Sequence, residues 1–179
     1  MNYLYKEKVR KYIIENFPLA IEISNIAPIF LIGGALRDIE LLTPPKDLDF
    51  VVLSDTDEII KTFIEKNNLK YKINKLGGYK IYNNTVVVDL WNTNDLLKSI
   101  EYNIEGLFYD IKNDYIIPFG YYDALENGLR IINPNNNINE EEKISKRKIT
   151  LNNYIKNKIN NLQYLHYMSN KINNNLSKK

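Results

Sequence analysis

Two short segments a few residues apart restrict this chain more than anything else in it: Phe30-Leu31-Ile32-Gly33-Gly34-Ala35-Leu36-Arg37-Asp38 and Lys46-Asp47-Leu48-Asp49-Phe50-Val51-Val52. An apolar run that stops at two glycines is the pattern of a buried strand entering a tight turn. Where such a turn opens a helix, its backbone N–H groups can cradle phosphate oxygens. Asp47 and Asp49 are two apart in an alternating stretch, so a strand there points both carboxylates to one face. Side by side they repel each other unless a cation joins them, and oxygen-only ligands suit Mg²⁺ or Mn²⁺. A cation held there would activate an attacking hydroxyl and neutralise charge building on a phosphate. Asp89 follows Val86-Val87-Val88. An acid in so apolar a strand needs a partner or an ion, so it is the candidate third ligand, the alternative being a strand-end cap. Lys46 is either a phosphate contact or a surface charge, and Arg37 with Asp38 either lines the same pocket or forms an ion pair at a helix start.

The remaining elements read as follows. Apolar spacing predicts a helix over 3–17, strands over 29–32 and 46–53, and a helix over 55–67 capped by Ser54. Three antiparallel strands are expected at 71–74, 79–82 and 85–90, with turns at Gly77-Gly78 and Asn83-Asn84. Helices are expected from Trp91 to Ile100 and on to Leu107, then a hairpin over 107–117. Past the Asn-rich stretch that follows Asn133-Pro134, two helices are expected between Glu140 and Asn170, with a frayed end. Trp91 reads as core, with a position near a nucleobase as the alternative. His166, the chain's one histidine, reads as a helix residue and not a catalyst. The fold class is α+β, a small mixed sheet of about five strands flanked by helices, with a C-terminal helical extension. The domains are expected at 1–134 and 135–179.

The combination Gly-Gly-x-x-Arg-Asp followed by Asp-x-Asp resembles the head domain of class II tRNA nucleotidyltransferases and bacterial poly(A) polymerases, within the DNA polymerase β-like superfamily. The likeness spans roughly residues 25 to 135. LGGYKIYNNTVVVDLW (76–91) resembles a form found in short stand-alone relatives. The resemblance implies Gly33 and Gly34 on the triphosphate, Asp47 and Asp49 as metal ligands, and Arg37 and Asp38 shaping the nucleotide pocket. It also implies a polymerase β-like fold and nucleotidyl transfer from a nucleoside triphosphate to a hydroxyl, with an RNA or tRNA 3′ end as the leading acceptor. Transfer to a small molecule or a protein, and binding without turnover, are the alternatives. Two departures stand out. The Arg-Arg-Asp run of full-length tRNA-adding enzymes is replaced by Ser99-Ile100-Glu101, and Glu140-Glu141-Glu142 does not reproduce their neck pattern. The expectation is a head with a short neck-like helix in place of a full CCA-adding enzyme.

Charge sharpens the acceptor argument. Of 24 basic residues, nine lie from Lys143 onward, where there is no acid, while all 22 acids precede Lys143. A basic tail on an acidic body points to a polyanion such as RNA, or to a merely solvated helix end. With no cysteine there is no disulfide or thiolate chemistry. The longest apolar runs are too short to span a bilayer, and the amphipathic N-terminus is no secretory signal. A cytoplasmic protein without membrane contact is expected.

Overall fold

The computed structural model describes the backbone of residues 3–82, 86–134 and 140–176, and within them the side chains from 5 to 164. The expected Asn83-Asn84 turn, the Asn-rich loop at 135–139, the last three residues and the side chain of His166 lie outside the described residues. The chain divides into two compact units, Met1–Asn136 and Asn137–Lys179. The first holds α1 (Tyr3–Asn16), α2 (Leu19–Ser24), β1 (Ile29–Ile32), α3 (Gly34–Glu40), β2 (Asp47–Leu53), α4 (Glu58–Lys66), β3 (Tyr71–Ile73), β4 (Tyr79–Tyr82) and β5 (Val87–Thr93). Single helical turns at Leu96–Ser99 and Asn103–Glu105 precede β6 (Leu107–Asp110), β7 (Tyr115–Pro118) and α5 (Tyr121–Asn127). The second unit is one helix, α6 (Glu140–Leu176). Among the described residues no helix is long and apolar enough to cross a membrane.

Seven strands form one sheet in the order β3-β4-β5-β2-β1-β6-β7. Only β2 and β5 pair in parallel; the other neighbours are antiparallel. The sheet has two unlike faces. Ile29, Leu31, Leu48, Phe50, Val52, Val88, Leu90, Leu107 and Tyr109 are fully buried on one of them. The helices lie on this side: Phe17, beyond α1, stacks at 5.5 Å on Phe50, and the Tyr79 hydroxyl donates to Asp57 at the start of α4 over 2.6 Å. Burying such side chains contributes about 1.5–3 kcal/mol each. On the opposite face Phe30, Ile32, Val51, Ile100 and Phe108 make a second cluster, with Leu53, Trp91, Leu96, Ile117 and Ile132 packed against it.

The fold class is the expected mixed α/β sheet flanked by helices, with several elements corrected. The described residues hold seven strands and not about five. The helix expected from Trp91 is the end of β5, because the β2 register runs on through Val51↔Trp91 to Leu53↔Thr93, and Asp95 then caps a single helical turn through Leu97 N–H at 3.0 Å. The segment before Leu107 likewise closes after a single helical turn. Ser54 does not cap α4; its hydroxyl closes a local turn on Thr56. The two helices expected after Glu140 are one, because no glycine or proline interrupts 140–176. Three acids in its first turn suit the helix dipole. The sequence reading did not foresee α5.

A clasp ties α5 to the helical turn at Asn103–Glu105. Asn103 is fully buried. Its amide donates to Asp123 and to the Gly128 carbonyl, both at 3.0 Å, and its oxygen accepts from Arg130 N–H at 2.9 Å. Asp123 also takes Arg130 Nε at 2.8 Å and Asn127 at 2.9 Å. These bonds, Arg130 first, then Asn127 and Asn103, hold the Asp123 carboxyl down at about 2. A lowered carboxyl stabilises the fold fully above its unfolded value of 3.8, and that contribution is lost as pH falls toward 2. The stability gap between wild type and Asp123→Asn, from urea unfolding, is therefore expected to be constant above pH 5 and to close between about pH 4 and pH 2. Gly106 is a separate constraint: a Cβ there would collide with the Phe119 carbonyl oxygen, whereas one at Gly77 meets nothing within 4 Å and suffers only its φ of +86°. Gly106→Ala should cost several kcal/mol and Gly77→Ala about 1–2, read as unfolding midpoints.

Candidate functional site

The register turns the sheet into rows of side chains. Direct partners run Lys72↔Lys80, Lys80↔Asp89, Asp89↔Asp49, Asp49↔Ile32, Ile32↔Phe108 and Phe108↔Ile117. Paired residues share a face, so one row crosses all seven strands away from the main helical layer. Its β6–β7 end is apolar and belongs to the second cluster; its other half carries two aspartates and two lysines. Asp47 lies two residues before Asp49 on the same face, exposed where Asp49 is half-buried.

Asp89 thus sits directly beside Asp49 and in mid-strand, not at a strand end. Its side chain is 14% exposed, and it is paired with Lys80 at 3.2 Å. That hydrogen bond and charge raise the Lys80 ammonium above its ordinary value, with a smaller contribution from Asp47. As the side chains stand, no three His, Cys, Asp or Glu among the described residues gather closely enough to hold a metal ion. The strand positions bring the three acids together; the carboxylate of Asp89 is turned onto Lys80.

The glycine turn follows β1. Gly33 is buried, with φ +69° and ψ −121°, a backbone that favours glycine. Its N–H donates to the Leu107 carbonyl at 3.1 Å, so that amide fastens the turn to β6. A Cβ at Gly33 would meet nothing within 4 Å, so the turn borders open space. Below it Arg37 is 6% exposed and donates through Nη1 to the Ile104 carbonyl at 2.7 Å, with Nη2 3.8 Å from where a Gly34 Cβ would lie. Asp38 next to it is half-buried. Burial pushes its carboxyl up, Asp47 adds to the rise, and Arg37 and Lys46 oppose it. Asp38, Lys46 and Asp47 therefore feel one another across the α3–β2 connection, and Lys46 is exposed at the rim.

Lys72, Lys80 and Tyr82 were not among the residues singled out from sequence. A signal was there: from Lys66 to Val88 the chain has five lysines and no acid.

No protein-family model matches the sequence, and no curated protein does. Solved structures match the fold. A tRNA-processing enzyme in an apo form superposes with a TM-score of 0.53 at 22% identity, covering 68% of this chain and 37% of its own. A CCA-adding enzyme in complex with ATP gives 0.52 at 18%, covering 69% and 36%, and a tRNA-processing enzyme with CTP gives 0.50 at 19%, covering 65% and 36%. This chain thus spans little more than a third of the length of the structures it matches. It shares the fold of these tRNA-processing and CCA-adding enzymes.

The buried bond from Arg37 gives a test without any ligand. Removing a charged donor from a buried carbonyl costs about 1.5–3 kcal/mol, so Arg37→Met should lower the urea midpoint of the nucleotide-free protein accordingly. A midpoint unchanged from wild type would mean that the guanidinium serves only a ligand.

Proposed function

We propose that this chain is a nucleotidyltransferase that moves a nucleotide from a nucleoside triphosphate to a hydroxyl acceptor, with an RNA 3′ end, tRNA included, as the acceptor. One observation carries the reading: Asp47, Asp49 and Asp89 stand on adjacent parallel strands of one sheet face, one strand from a β1 that ends in the Gly33-Gly34 turn. The likeness in fold to a CCA-adding enzyme in complex with ATP supports it. Residues 1–134 are the catalytic head in this reading, and 135–179 the neck-like extension whose basic residues favour RNA.

The acids fit a hard divalent cation. They offer only carboxylate oxygens, the donor set for Mg²⁺ or Mn²⁺, with the condition that Asp89 exchanges its Lys80 partner for the ion. Asp47, Asp49 and Asp89 would hold such a cation, which would supply charge neutralisation at the α-phosphate. The chain's own residues do the rest. The Gly33-Gly34 turn leaves room for the triphosphate because no side chain intrudes. Arg37 braces that turn from beneath, through Ile104. Lys46 meets phosphate oxygens at the rim, and Asp38 shapes the pocket beside it. The acceptor hydroxyl attacks the α-phosphorus in line, the bond from the α-phosphorus to the bridging oxygen breaks to release pyrophosphate, and the hydroxyl proton passes to water. A second reading, nucleotide or RNA binding without turnover, is favoured by one observation, the Lys80–Asp89 pair that closes the third acid.

The test supplies purified protein with total RNA, Mg²⁺ or Mn²⁺, and each α-labelled nucleoside triphosphate in turn. Label is expected on RNA with pyrophosphate released, and Asp47→Ala/Asp49→Ala should lower the rate about a hundredfold or more. Label retained at wild-type rate in that variant would remove the carboxylates from the mechanism. RNA binding with no pyrophosphate from any triphosphate would favour the second reading.

A further inference from the structure

The acid row does not stop at Asp89. Beyond it the same face continues through Lys80 on β4 to Lys72 on the edge strand β3. Tyr82, two residues past Lys80 and opposite Val87, shares that face. Lys72 lies over the Tyr82 ring with its ammonium 5.7 Å from the centroid, and the ring is 49% exposed. No acid occurs between Lys66 and Val88, so Lys72 has no carboxylate from its own hairpin to pair with. Lys80 alone reaches back to Asp89. With neighbouring strands about 4.8 Å apart, Lys72 stands three strands, or about 14 Å, from Asp49. That span suits two or three nucleotides of an extended strand.

We propose that β3 and β4 form a docking track for single-stranded RNA, delivering its 3′ end to the carboxylates. Lys72 takes a backbone phosphate, and the half-exposed Tyr82 ring stacks on a base. Charge complementarity selects a polyanion, and an aromatic plane held beside a cation selects one with bases. A track on an edge strand with a half-exposed ring fits a single strand better than a duplex. This inference rests on the reading of RNA as acceptor and adds where the RNA lies.

The experiment uses the full chain and a fluorescein-labelled 12-nucleotide single-stranded RNA with a free 3′ hydroxyl. Anisotropy is read in EDTA without nucleotide, across a salt series. Lys72→Ala/Tyr82→Ala should weaken binding about tenfold and reduce the salt slope by about one. Tyr82→Phe should bind like wild type, because the ring is kept. Lys112→Ala, at the exposed turn between β6 and β7, is the control for loss of a single charge and should change little. Circular dichroism and unfolding midpoints confirm that each variant is folded. Were the double variant folded and equal to wild type in affinity and slope, the track would be overturned, even if label transfer to RNA succeeds. If no triphosphate gives transfer but the double variant still loses RNA, the track stands and the transferase reading falls. A poly-glutamate peptide that binds as tightly as RNA, with loss in Lys72→Ala but none in Tyr82→Ala, would overturn the proposal in favour of an acidic protein partner.

Discussion

The site depends on the parallel pairing of β2 with β5. A hairpin register can be fixed by its own turn, but these two strands are joined through α4, β3 and β4, so no local turn aligns them. The helical face aligns them instead. Leu48, Phe50 and Val52 of β2 and Val88 and Leu90 of β5 are all fully buried there. A slip of either strand by one residue would turn its own aspartates into that core and lift its apolar side chains out. An unpaired carboxylate in such surroundings costs several kcal/mol. The apolar face therefore sets where the acids stand on the other one, and the geometry of the site follows from packing that never touches it.

The row crossing the sheet explains why one face can be half core and half site. Its β6–β7 half is covered by Leu96, Ile100 and Ile132, which the turns after β5 and the segment after α5 bring over the sheet. The covering segments are tied down by side-chain to backbone bonds: Asp95 caps one helical turn, and Asn133 donates to the Leu97 and Ile100 carbonyls at 2.6 and 2.7 Å. Arg37 joins the glycine turn to the same region through Ile104. Apolar cover thus stops next to the acids.

Residues with strong local rules were legible in the sequence. The strand into Gly33-Gly34, the Asp47/Asp49 face and the hairpin over 107–117 each follow from periodicity and turn chemistry. The elements that escaped are those decided from a distance. Trp91 to Thr93 extends a strand because β2 offers partners through Leu53, and nothing within the segment says so. Arg37 donates to a buried carbonyl 67 residues away, a partner that nothing in its own segment announces. The Gly33 amide is bonded to Leu107 on β6, which the glycine turn by itself does not announce. Lys80 was invisible as a neighbour of Asp89 until the β4–β5 register was known. The short helices fell to tertiary contacts that outweigh weak intrinsic preference.

Three aspartates on one face invite mutual repulsion, and the structure bears it unequally. Asp47 is exposed and solvated, so its charge costs little. Asp89, at 14% side-chain exposure, cannot rely on water. Lys80 meets that need from the adjacent strand, and as a direct register partner it does so without long side chains searching for each other. The lysine is itself 36% exposed, which keeps the bond in the range of surface ion pairs, about 0–1 kcal/mol. A deeply buried pair would fix Asp89 permanently, while no pair would leave a charge stranded beside Asp49. A weak bond at the edge of water neutralises the acid and leaves both partners open to exchange.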